Sequence, residues 1–138
     1  MIRSIKVFLL LTMLSGMVLQ GCVVSEDDQV NPSDPREKFL GDWKVDESCS
    51  RMNYTVSISA DPGNSSQVLI DNFGNPGPDY DPAVGLIVSN TIKVSSQNIG
   101  EGWTVSGNGT FQSNGTILWT YSLIISGVKE NCNAVFSP

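Results

Sequence analysis

Fourteen carboxylates and three cysteines, with no histidine, hold the reactive chemistry of this 138-residue chain. Without an imidazole the usual general base is missing. Neither a Gly-x-Ser-x-Gly nucleophile elbow nor a phosphate-binding loop occurs. Glu47 and Glu101 could be paired as the acid and nucleophile of a glycosidase, but spare carboxylates are the norm on an acidic surface. No catalytic residue is therefore assigned, and the expectation is a protein that is not an enzyme. Asp71, Asn72, Asn75, Asp79 and Asp81 crowd one stretch with hard oxygen ligands of the kind calcium takes. Their spacing fits no calcium loop, so they read as solvated turn residues, and neither metal nor cofactor is expected. The same stretch supplies the candidates for a ligand-binding loop: Asp71, Asn72, Asp79, Tyr80 and Asp81.

What positions these residues begins with the N-terminus, which reads as an address. Arg3 and Lys6 precede an apolar run over residues 7–19. A bilayer-spanning helix needs about 20 apolar residues, so this run is too short, and its layout is that of a secretory signal. Its ending, Leu19-Gln20-Gly21-Cys22, resembles the lipobox of bacterial lipoproteins. The resemblance implies removal of residues 1–21 as a signal peptide and acylation of Cys22, whose chains would hold the protein on a membrane at ~0.8 kcal/mol per buried methylene. Directly after it, Ser25-Glu26-Asp27-Asp28 resembles the export signal of Bacteroidetes-type surface lipoproteins. That implies an outer-membrane protein facing the cell exterior. Residues 22–36, polar and carrying Pro32 and Pro35, form the acidic tether.

With residues 1–21 gone, 117 residues remain, enough for one domain. The same cut removes Arg3 and Lys6 and leaves 6 basic against 14 acidic side chains, a net charge of −8. No basic patch survives to hold nucleic acid. If Cys22 carries lipid, Cys49 and Cys132 are left as an even pair in an oxidising compartment, where a disulfide is the natural outcome. Two thiolates alone fall short of a zinc ligand set.

From residue 37 to the end no helical period is sustained. Short alternating runs recur between clusters of Gly, Asn, Asp and Pro, which predicts an all-β antiparallel up-and-down barrel of about eight strands over residues 37–138. Tyr54, Val56, Ile58 and Ala60 share one face. Matching faces with the next strand sets Ile58 opposite Val68 and Val56 opposite Ile70, leaving residues 61–65 as the loop. The stretches 71–83 and 98–101 read as loops, and 131–136 as the last strand. Trp103, Val105, Gly107, Gly109 and Phe111 share a face, as do Ile117, Trp119, Tyr121, Leu123 and Ile125. A two-residue Asn-Gly turn would point Trp119 and Tyr121 at the polar side. A three-residue turn, Ser113-Asn114-Gly115, instead sets Phe111 opposite Ile117 and each glycine opposite an aromatic ring. Trp43, Val45 and Cys49 share parity on the first strand, with Glu47 as an unexplained polar member. A bond from Cys49 to Cys132 would join first strand to last, which a closed barrel permits.

Gly41-Asp42-Trp43 resembles the Gly-x-Trp signature that opens lipocalin and avidin-like barrels, where the Trp packs across the barrel floor. With the strand count and the run Val105-Ser106-Gly107-Asn108-Gly109-Thr110 leading to Tyr121, residues 37–138 resemble the small lipocalin-like lipoproteins of Bacteroidetes. The strands are shorter than in true lipocalins. Trp43, Trp103, Phe111, Trp119 and Tyr121 fall on the apolar parity, so the interior is expected to be filled, with recognition left to the loops. The resemblance implies a non-catalytic binding module on the cell surface, its ligand a glycan, a small apolar molecule or a protein. The alternative is a structural or accessory lipoprotein working with another envelope protein.

Overall fold

Beyond residue 40 the polar–apolar alternation resolves into eight strands in the computed structural model, which describes residues 33–50 and 52–138. They are β1 Gly41–Glu47, β2 Asn53–Ala60, β3 Gln67–Asp71, β4 Ala83–Val88, β5 Thr91–Gly100, β6 Trp103–Phe111, β7 Ile117–Ile125 and β8 Val128–Ser137. Each pairs antiparallel with the next, and β8 returns to β1, so the sheet closes into an up-and-down barrel. The expected fold class is the observed one. Residues 1–32 and Arg51 lie outside the described residues, and with them the expected signal peptide, Cys22 and most of the expected tether.

Side chains alternate across a strand, and here one parity is the core. Trp43 and Val45 on β1, Val56 and Ile58 on β2, and Ile117, Trp119, Tyr121 and Leu123 on β7 are buried. The β6–β7 register follows from the buried faces: Phe111 pairs with Ile117, Gly109 with Trp119 and Gly107 with Tyr121. Gly115 takes φ 82°, the left-handed position of the three-residue turn. A Cβ on Gly109 would lie 2.3 Å from Cε2 of Trp119, so the missing side chain is the space the indole occupies.

The β2–β3 register is two residues from the expected one. Ile58 pairs with Ile70 and Ala60 with Val68. A shift of two preserves the buried face, so alternation cannot decide between them. The intervening loop decides. Asp61 Oδ1 accepts from the Gly63 N–H at 2.8 Å, and Asn64 Oδ1 from the Ser66 N–H at 3.0 Å, which builds two successive turns. Arg36 then donates from Nη1 to the carbonyls of Asp61, Asn64 and Gln67 at 3.2, 3.1 and 3.3 Å. Asp34 orients it, with Nη2 and Oδ2 at 2.6 Å. Asp34 and Arg36, grouped with the tether by composition, are thus part of the folded body.

Other boundaries move: Asp71 ends β3 and Ala83 begins β4, so the expected loop 71–83 shrinks to 72–82. Residues 98–100 belong to β5, leaving Glu101 and Gly102 at the hairpin tip with φ 44° and 77°. The strand bulges between Val94 and Gln97 and again between Asn98 and Gly100, which blurs its alternation. Where backbone pairing to β4 lapses, the Gln97 amide replaces it, accepting from the Val84 N–H at 2.8 Å and donating to the Val84 carbonyl at 2.9 Å. β8 starts at Val128, three residues before the expected strand, after a Ser126–Gly127 turn with φ 50° and 82°. Its first four residues are exposed, so they carry no apolar pattern.

Candidate functional site

The up-and-down order sends loops 61–66 and 112–116 to one end of the barrel and loops 72–82 and 101–102 to the other. Each end is stopped by a phenylalanine that the strand pattern does not mark. At the first, Phe39 ends a single 3₁₀ turn, Glu37–Phe39, and is fully buried. Its ring meets Phe111 edge-on at 5.7 Å, and its carbonyl accepts the Trp43 indole N–H at 2.9 Å. Trp43 of the Gly-x-Trp segment is thereby fixed at the end where the described chain enters.

At the far end, loop 72–82 turns inward. Asn72 adopts φ 61°, and its side-chain amide donates to the Thr55 carbonyl at 2.9 Å while accepting from the Gly77 N–H at 3.1 Å. That sends Phe73 into the barrel, where its ring lies 4.9 Å from Trp119 and 5.0 Å from Tyr121. Gly74 follows at φ 82°, and a Cβ there would lie 2.7 Å from Cδ2 of Leu123. Further on, Tyr80 packs edge-on against Trp103 at 5.5 Å and covers Gly100. The Asp81 N–H donates to the Ile99 carbonyl at 2.8 Å. Trp103 and Phe111, expected inside, are only partly buried at opposite ends of β6, and Phe39 and Phe73 fill the space. Two surface depressions of about 450 and 410 Å³ run along the outer wall, beside Leu118 and Val135 and beside Lys44 and Asn53.

Of the loop candidates, Asn72 is a structural clamp and Tyr80 a packing residue, while Asp71, Asp79 and Asp81 are exposed. Their carboxylates do not gather. Among the described residues, the group of three acid or thiol ligands within 4.8 Å of one another is Cys49, Glu130 and Cys132. Both sulfurs there are already spent, since Cys49 and Cys132 form a disulfide with Sγ atoms 1.96 Å apart.

Glu47 is the feature that composition and parity left unexplained. The residue is only 4% exposed and shares the inward parity of Trp43 and Val45 at the end of β1. Ser50 Oγ donates to Oε1 at 2.6 Å and the Tyr54 hydroxyl to Oε2 at 2.9 Å, and the Tyr54 and Tyr121 oxygens lie 3.4 Å apart. Sequence parity had placed both tyrosines in the apolar face, and an inward acid was the one signal of this polar knot. Glu101, its proposed glycosidase partner, is exposed at the β5–β6 hairpin tip. Among the described residues, Trp119 Nε1 is buried with no hydrogen-bond partner.

Burial raises the Tyr54 phenol pKa, and so do the negative charge of Glu47 and the hydrogen bond to it. A raised value means the native state holds this proton more tightly than the unfolded chain does. The stability it contributes is complete below the unfolded phenol value of about 10 and is lost as pH climbs above it. Urea midpoints between about pH 9 and about pH 11 should therefore fall more steeply for the wild type than for Tyr54→Phe. Equal slopes would show that Tyr54 does not carry the effect.

Comparison with protein-family models, curated proteins and solved structures returned no match.

Proposed function

We propose that the protein is a lipid-anchored, non-catalytic binding module on the outer face of the outer membrane, taking its ligand at the barrel end closed by loop 72–82. The lipobox-like Leu19-Gln20-Gly21-Cys22 and the following acidic run support the anchor and its address. One structural observation supports the choice of end: Asp34 and Arg36 are tied to loop 61–67, so the chain joins the barrel at the Phe39 end. Loop 72–82 belongs to the other end, free of the tether's attachment. That end also carries the buried acid, the tyrosine pair and the aromatic cluster.

Cells expressing the wild type and fed a fatty-acid probe should label this protein, and Cys22→Ala should lose the label entirely. Protease added to intact cells should degrade the wild type. Equal labelling of both chains refutes the anchor, and protection until the outer membrane is opened refutes the outward address.

A further inference from the structure

We infer that the Phe73 ring occupies the seat of a ligand, and that this ligand is a primary arylalkylammonium: an aromatic ring with a cationic amine a short linker away. The inference rests on the proposal of a binding module at this end and names the class of molecule bound.

Three observations converge on one small volume. Phe73 comes from a loop, not from the barrel wall, yet it is 1% exposed and wedged against Trp119 and Tyr121. The residues around it are held in unusual backbone conformations, Asn72 at φ 61°, Gly74 at 82°, Asn75 at 64° and Gly77 at 106°. Non-glycine residues in that region are uncommon and persist where the surroundings hold them. A swing of Phe73 has to break the two Asn72 side-chain hydrogen bonds that clamp the loop, which keeps the open state a minor one. The wall behind Phe73 is also not a plain apolar core. Beyond the ring seat, through the Tyr121 and Tyr54 hydroxyls, lies the buried Glu47 carboxylate.

A buried carboxylate is costly unless a counter-charge meets it. Among the described residues Glu47 has hydroxyl donors only, and the ion pair found there joins Arg36 to Asp34 elsewhere. The charge that such a carboxylate favours beside it is therefore a cation. Aromatic faces favour the same charge, the more so once water is excluded. A molecule whose ring takes the Phe73 seat and whose ammonium reaches Glu47 and the Tyr54 oxygen satisfies both demands. A neutral arene satisfies one, and an anion opposes Glu47.

In the wild type Phe73 competes for its own seat, so the observed affinity is reduced by the fraction of time the loop stands open. The test uses the full chain in detergent, titrated with 2-phenylethylammonium and with neutral 2-phenylethanol, while tryptophan emission and the melting temperature are followed. The wild type should bind the ammonium saturably, Phe73→Ala at least tenfold more tightly, and Phe73→Ala with Glu47→Gln at least tenfold more weakly than Phe73→Ala alone. Phenylethanol should not distinguish the last two. Phe73→Leu, which removes less volume, serves if the alanine chain lacks a cooperative transition. Equal affinity for both probes overturns the cation while leaving a binding module in place. Absence of saturable binding to folded Phe73 variants, or to the wild type at millimolar probe, overturns the seat. Neither result bears on the Cys22 label, so the anchor stands or falls separately.

Discussion

Replacing Trp119 with alanine lowers the unfolding free energy by about 3–5 kcal/mol, the range for removing a buried large aromatic side chain. Trp119 is 2% exposed and lies against Phe73 at 4.9 Å and Phe136 at 5.3 Å, so the void cannot be filled by one neighbour without unseating another. The converse substitution tests the same packing from the opposite strand. Gly109→Ala sets a methyl 2.3 Å from Trp119 Cε2, and a rigid ring clamped on other sides cannot yield as a flexible chain end would. Overpacking of this kind costs about 1–3 kcal/mol. The two changes must couple. With Trp119 already alanine, the methyl meets empty space, and its cost should vanish or change sign, giving a coupling energy of about 1–3 kcal/mol. Urea unfolding of the four chains measures it. A Gly109→Ala penalty of the same size in both backgrounds would show that the indole is not what fills the glycine's place.

That glycine–aromatic match is also the part of the fold most open to reading from the sequence. Two strands with apolar parity and a short turn left one register that buried both faces, and β6–β7 adopts it. The β2–β3 hairpin was not legible in the same way. Its two candidate registers bury the same residues, and the decision falls to Asp61, Asn64 and a guanidinium arriving from Arg36, remote in sequence. Phe39 and Phe73 were missed for a different reason: each lies in a 3₁₀ turn or loop, where no period singles out a buried position. The start of β8 is silent because its outer residues stand in water on both sides, although the Ser126-Gly127 pair is a turn signal that could have been used. Glu47 shows the limit most clearly. Parity aimed it inward, and the acid contradicted the parity. Its partners, Ser50 just beyond β1 and Tyr54 on β2, become visible only when the chain turns back.

Reducing the Cys49–Cys132 bond is expected to destabilise the barrel by about 2–5 kcal/mol. The location gives the reason. β1 and β8 pair over Lys44–Glu47 and Ser137–Ala134, after which β1 ends. Ser48 extends the seam by one step, its N–H donating to the Asn133 carbonyl at 2.9 Å and its Oγ accepting from the Asn133 N–H at 2.9 Å. The disulfide follows directly, with Cα atoms 5.4 Å apart across a sequence separation of 83. Joining the first strand to the last is the pairing that closes the longest loop, and the bond prepays that closure in the unfolded chain. The chain-entropy account credits a loop of this length with roughly 4–5 kcal/mol. Two outcomes should appear together when oxidised and reduced protein are unfolded in urea. The midpoint falls on reduction, and the slope rises because the uncrosslinked unfolded chain is more expanded and exposes more surface. The double variant Cys49→Ala with Cys132→Ala should behave as the reduced wild type does, apart from a small loss for the buried Cys132 sulfur. A midpoint unchanged by complete reduction, with both thiols shown to be free by alkylation, would mean that the β1–β8 seam closes without help and that the bond adds nothing to stability.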